Sequence, residues 1–138
     1  MKLLLSFIAV SVVLLSCNNA STEKETGKAA TVQGAAAITF EKNNFDFGKV
    51  KQGAKVTHEF NFINNGTDPL VITNATASCG CTIPDYPKEP VLPGKSGKIK
   101  VVFDTAGKTG MQNKIVSITS NATPPLSEVY LTGEVLAK

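Results

Sequence analysis

From Ala37 to the C-terminus, apolar side chains return at every second position, and glycine, proline and asparagine clusters separate the runs. A period of two is the mark of strands with one buried face, and no segment carries a helical period over a useful length. Ile38 and Phe40 alternate with polar neighbours, as do Phe45 and Phe47 before Val50, with Gly48 and Gly53 as breaks. Val56, His58, Phe60 and Phe62 share one face of the next run, and Thr57, Glu59 and Asn61 share the other. Asn64–Asp68 reads as a turn and Leu70–Ala77 as its return strand, which predicts a hairpin. Pro84, Pro87, Pro90 and Pro93 predict a surface connection over 83–96, because proline cannot donate to a ladder. Ile99, Val101 and Phe103, then Ile115, Val116 and Ile118, then Val129, Leu131 and Val135 mark three more strands. About seven strands in roughly 100 residues predict an all-β, immunoglobulin-like sandwich. The antibody-type core is excluded, since the chain has no Trp and its two distal cysteines are two positions apart.

The N-terminus follows a different logic. Lys2 precedes an apolar run that ends Leu14-Leu15-Ser16-Cys17. The run is shorter than the about 20 residues that span a bilayer. It has the size and polarity of a signal-peptide core. Its end resembles a bacterial lipobox, which implies removal of residues 1–16 and thioether lipidation of Cys17. The competing reading is an ordinary signal peptide with a coincidental cysteine. Residues 18–36 carry small, polar and oppositely charged side chains and no apolar group larger than Val32. Segment 17–36 is therefore expected to be a lipidated cysteine and a tether reaching about 25 Å on average. The folded domain is expected over 37–138.

Charge and motifs narrow the function classes. All 14 basic residues are lysine, and the formal net charge is only +3. That bias is too small to argue for nucleic acid, and lysine lacks the planar fork that grips phosphate bidentately. One His and no G-x-S-x-G elbow leave no hydrolytic triad. Gly94-Lys95-Ser96-Gly97 lacks the spacing of a phosphate-binding loop. Asp104-Thr105-Ala106 resembles a short bacterial O-glycosylation sequence.

Ser78-Cys79-Gly80-Cys81-Thr82 is the one stretch with reactive chemistry. In a regular strand Cys79 and Cys81 would lie about 6.5–7 Å apart at Cα, at the edge of disulfide geometry. Gly80 is expected to let the chain tighten. Three readings stay open: a structural disulfide, a redox-active pair, and a soft-metal site for copper or zinc. Two sulfurs do not close a metal site, so a third group is needed. His58 and Met111 are the candidates, although the expected hairpin sets His58 about 13 Å from Cys79 along the strand. The competing readings are a half-buried His bonded to a backbone group and a Met that packs.

The ordered series F-x-F-G-x-V-x-x-G (45–53), H-x-F-x-F-x-N-x-G (58–66), P-L-x-I (69–72), S-C-G-C-T (78–82), L-P-G-K-S-G-K-I-K-V-x-F-D-T (92–105) and S-I-T-S-N (117–121) resembles the DUF1573 family. These are bacterial secreted or lipid-anchored domains of unknown function. The resemblance implies a fold similar to the major sperm protein and pilus-chaperone domains, and implies no enzymatic activity. The expected function is a lipid-anchored, non-enzymatic module of the cell envelope, at the outer membrane or the periplasmic face of the inner membrane. It would bind an envelope protein partner, and an exposed sheet edge could accept a partner strand. The alternative is copper or zinc binding, or thiol redox chemistry, at Cys79 and Cys81.

Overall fold

The computed structural model describes residues 34–138. The leader, Cys17 and most of the expected tether lie outside the described residues. Eight strands follow in chain order: β1 (Ile38–Phe40), β2 (Asn44–Lys51), β3 (Lys55–Asn64), β4 (Ile72–Ala77), β5 (Thr82–Asp85), β6 (Ser96–Asp104), β7 (Gly110–Ser120) and β8 (Leu126–Leu136). They form two four-stranded sheets, ordered β1-β3-β6-β5 and β2-β8-β7-β4. The β2–β8 pair is parallel, and the other pairs are antiparallel.

The period-two pattern explains the core. Phe60, Phe62, Ile99, Val101 and Phe103 point inward from one sheet, and Val116, Ile118, Val129, Leu131 and Val135 from the other. Each is at most 1% exposed. Full burial of a side chain of this size contributes about 1.5–3 kcal/mol. Every buried core residue described falls between Ala36 and Val135, so this segment carries its own core. Ala36 belongs to it, at 2% exposure and bridged to Ala122, so the fold takes in the end of the segment expected to be tether.

The expected hairpin of β3 with 70–77 does not form. β3 pairs with β1 and β6, while β4 crosses to the other sheet and pairs with β7. Asn64 is the physical reason. It is fully buried, and its amide nitrogen donates to the carbonyls of Asp68 and Val91, both at 2.8 Å. Its side-chain oxygen accepts from the N–H groups of Ala37 and Gly66. Leu70 and Val91 then exchange backbone hydrogen bonds of 2.8 Å, which sinks Leu70 into the core between the sheets. What reads as a turn signal is thus a pinned crossover.

Pro84 is the second departure. It sits inside a strand, β5, opposite Val101. This is allowed because β5 is an edge, where a missing N–H costs no ladder bond. The strand count is therefore eight rather than about seven.

Candidate functional site

The cysteine pair lies where the chain passes from one sheet to the other. β4 ends at Ala77, paired with Val116. Ser78 continues the ladder, donating its N–H to Ile115 and receiving the Ile115 N–H on its hydroxyl. Cys79 then leaves the sheet. The loop closes when the N–H of Thr82 donates to the carbonyl of Cys79 at 3.2 Å. Cys81 is fixed on the other side, its carbonyl accepting the N–H of Asp104 at 2.9 Å. The two sulfurs are bonded, and the Cα atoms stand 5.3 Å apart. The tightening does not use a left-handed glycine. Gly80 is not among the positive-φ positions, and a Cβ placed on it would meet no atom within 4 Å. What Gly80 provides is an open outer side to the loop.

Sheet register sorts the surroundings into two faces. Val56, Phe103 and Thr82 form an inward row, and so do His58, Val101 and Pro84. Lys55 and Asp104 form an outward row that Cys81 extends at the backbone, although its side chain also packs partly against the core, and Thr57, Val102 and Ile83 form the next row. On the outer face a groove of about 440 Å³ opens, lined by Lys55, Cys81, Ile83, Val102, Asp104 and Lys108 among others. Ile83 is 66% exposed there. The Asp104 carboxylate accepts the N–H of Ala106 at 2.9 Å. On the inner side the Thr82 hydroxyl lies 3.6 Å from Cys79 Sγ. A disulfide sulfur carries no hydrogen, so the hydroxyl is the donor. The Lys114 ammonium lies 5.3 Å from the Phe103 ring centre. Burial, and then the charge of Lys108, holds its pKa below the usual lysine value.

His58 and Met111 do not join the cysteines. His58 stacks on Phe45 at 3.7 Å between ring centres, with planes 4° apart, and meets Phe60 edge-on. It is level with Pro84, about 10 Å along the strand from the Cys81 row and two strands, about 10 Å, across the sheet. It also faces inward while Cys81 lines the outer groove. Burial pulls its pKa below the ordinary value, partly offset by Glu59. Met111 is 77% exposed beside Asp46, Lys49 and Glu134. Among the described residues no group of three or more His, Cys, Asp and Glu side chains converges for a metal. The glycosylation reading of 104–106 also fails on access. Thr105 is 0% exposed, and its hydroxyl donates to the carbonyl of Ala54 at 2.6 Å.

Sequence reasoning missed Lys55 and Lys108 as neighbours of the pair, because only the fold brings the start of β3 and the β6–β7 loop to Cys81. It also left the sheet edges open to partner strands. The free side of β5 is poor in donors: the N–H of Thr82 is taken by Cys79, Pro84 has none, and that of Tyr86 is bonded to Asp85. β1 spans 3 residues, and the register of both β2 and β4 shifts along its length. Short, bulged and proline-bearing edges resist strand addition.

Two packed four-stranded sheets of this order form an immunoglobulin-like β-sandwich. The chain belongs to the family described as "Protein of unknown function (DUF1573)", which it matches over residues 38–135. No curated protein matches it. Among solved structures it is similar to a protein of unknown function from Porphyromonas gingivalis W83, with 19% identity and a TM-score of 0.61 over 73% of this chain. It spans 46% of that protein's length. It is also similar to the ASH/PapD-like domain 7 of human CEP192, with 8% identity and a TM-score of 0.61, covering 75% of this chain and 88% of that one. A third likeness is to 23% of the secreted serine protease VesC from Vibrio cholerae, with 16% identity, a TM-score of 0.56 and 72% of this chain covered. At these identities the likenesses speak to the fold alone.

Proposed function

We propose that this chain is a lipid-anchored, non-enzymatic binding module of the bacterial cell envelope, and that it meets an envelope protein partner at the groove beside the cystine. The observation that carries the reading is Ile83, 66% exposed over a groove walled by Lys55, Asp104 and Lys108. A large apolar side chain on a charged rim is the pattern of a small interface core. The donor-poor edge of β5 favours a partner side chain entering this groove over a partner strand pairing with it. The anchor at Cys17 rests on the leader sequence, and holds the domain on the outer membrane or on the periplasmic face of the inner membrane. Two tests follow. Cys17→Ser should move the chain from the membrane fraction to the soluble one. Ile83→Asp should abolish capture of the partner from cross-linked envelopes while leaving the circular dichroism spectrum unchanged. Capture that is indifferent to Ile83→Asp contradicts the surface.

A second reading uses the same groove for thiol chemistry. It is favoured by the placement of Cys81 in the groove wall. Copper or zinc binding would first require reduction of the pair, and then a ligand from a partner, since His58 and Met111 lie elsewhere.

A further inference from the structure

Two lysines line the groove beside the Cys79–Cys81 loop, and a third lies near one of them. Lys55 comes from the start of β3, Lys108 from the β6–β7 loop and Lys114 from β7. Lys55 and Lys108 line the groove together with Cys81, and only Asp104 opposes them among its lining residues. That carboxylate is already engaged by the N–H of Ala106. The groove therefore presents an excess of positive charge to whatever approaches Cys81. Its mouth is open at Gly80, where a Cβ would meet nothing within 4 Å.

The two sulfurs are not equivalent. Cys81 Sγ belongs to the groove residue, whereas Cys79 Sγ has the Thr82 hydroxyl at 3.6 Å on the inner side. A hydroxyl aimed at a sulfur favours that sulfur as the site where negative charge develops. A hydrogen bond of this kind stabilises the departing thiolate and so favours its departure.

We propose that the Cys79–Cys81 disulfide exchanges with thiols that carry additional negative charge, with Cys81 Sγ as the atom attacked and Cys79 as the leaving group. This rests on the thiol reading given above. The incoming thiolate forms a bond to Cys81 Sγ as the bond between the two cysteine sulfurs breaks, and that electron pair stays on Cys79 as a thiolate. A second equivalent of the same thiol attacks its own sulfur in the mixed disulfide and releases Cys81 as a thiolate. Two thiols become one disulfide, two electrons pass to the protein, and the two thiol protons end on Cys79 and Cys81.

The test uses segment 32–138, which contains the whole of the described core. Its exchange is followed with 2-mercaptoethanesulfonate and with cysteamine, each rate expressed per thiolate. The anionic thiol should react roughly tenfold faster at low ionic strength, the lower end of electrostatic steering. The ratio should fall toward one in high salt and in the Lys55→Gln/Lys108→Gln variant. Trapping with iodoacetamide should place the mixed disulfide on Cys81 and the alkyl group on Cys79. Gly80→Val should slow both thiols without changing the fold. Exchange at Cys81 without a charge preference overturns the thiol class while sparing the thiol reading. A mixed disulfide on Cys79, or no exchange at all, overturns the proposal; absence of exchange removes the thiol reading with it.

Discussion

The amide of Asp104 donates to the carbonyl of Cys81 over 2.9 Å, and this bond extends the β5–β6 ladder into the cystine loop. It places Cys81 in line with Lys55, the residue paired with Asp104 on its other side. A loop that would otherwise project from the sandwich becomes part of a sheet face. The groove and its charge follow from that placement.

Because the closed loop is so short, the disulfide constrains the unfolded chain little. Cys79→Ser/Cys81→Ser should fold with the same spectrum and lose about 1–2 kcal/mol, the amount expected from loop closure. Urea unfolding with both variants in the same buffer measures it. Unfolding of the double variant in water would make the bond a structural necessity.

Asn64 should matter far more. Asn64→Leu leaves the carbonyls of Asp68 and Val91 and the N–H groups of Ala37 and Gly66 without that side-chain partner. Each buried group left unsatisfied costs about 1–3 kcal/mol. The urea midpoint should fall sharply, and amide exchange at Leu70 and Val91 should accelerate first. A midpoint within error of the parent would show that Asn64 does not hold the crossover.

Gly133 offers a clean packing test. Its φ is +155°, and a Cβ there would strike the Phe47 ring and come within 2.7 Å of the Gly48 carbonyl oxygen. Gly133→Ala should destabilise by about 1–3 kcal/mol through the backbone alone, with the clash added. Part of the loss should be recovered in the Phe47→Ala background, which a double-mutant cycle isolates.

His58 gives the sandwich an acid sensitivity. Burial holds its pKa below the ordinary 6.5. The unfolded chain therefore takes up the proton more readily than the folded one. Stability is complete above that ordinary value and is lost as pH falls through the window beneath it. The melting temperature should drop as pH falls below 6.5, and His58→Gln should flatten that decline. An unchanged slope in the variant would assign the sensitivity to another group.

The alternation of Val56, Phe60 and Phe62, and of Ile99, Val101 and Phe103, made the core and the fold class readable, because a period of two leaves one face to bury. Partnering between strands was not readable. The local signal at Asn64–Asp68 is the same for a hairpin and for a crossover, and only the contact with Val91, distant in sequence, decides between them. Pro84 misled for a related reason: its cost depends on whether β5 is an edge. The cysteines announced themselves as the reactive pair. Lys55 and Lys108 could not be attached to them until the packing of β3, β5 and the β6–β7 loop around Cys81 was known. For the same reason the distance from His58 was estimated along a hairpin that does not exist.

The proposed partner contact at the Cys81–Ile83 groove can be read in living cells. A photoreactive residue is placed at Ile83 in one strain and at Leu126 in another, in cells that make the full-length chain. Leu126 is 52% exposed and lies on β8, a strand of the other sheet, so it controls for access alone. A discrete adduct from position 83 that is absent from position 126 is the predicted result. No adduct from position 83, or the same adducts from both positions, would rule out a partner contact at this groove.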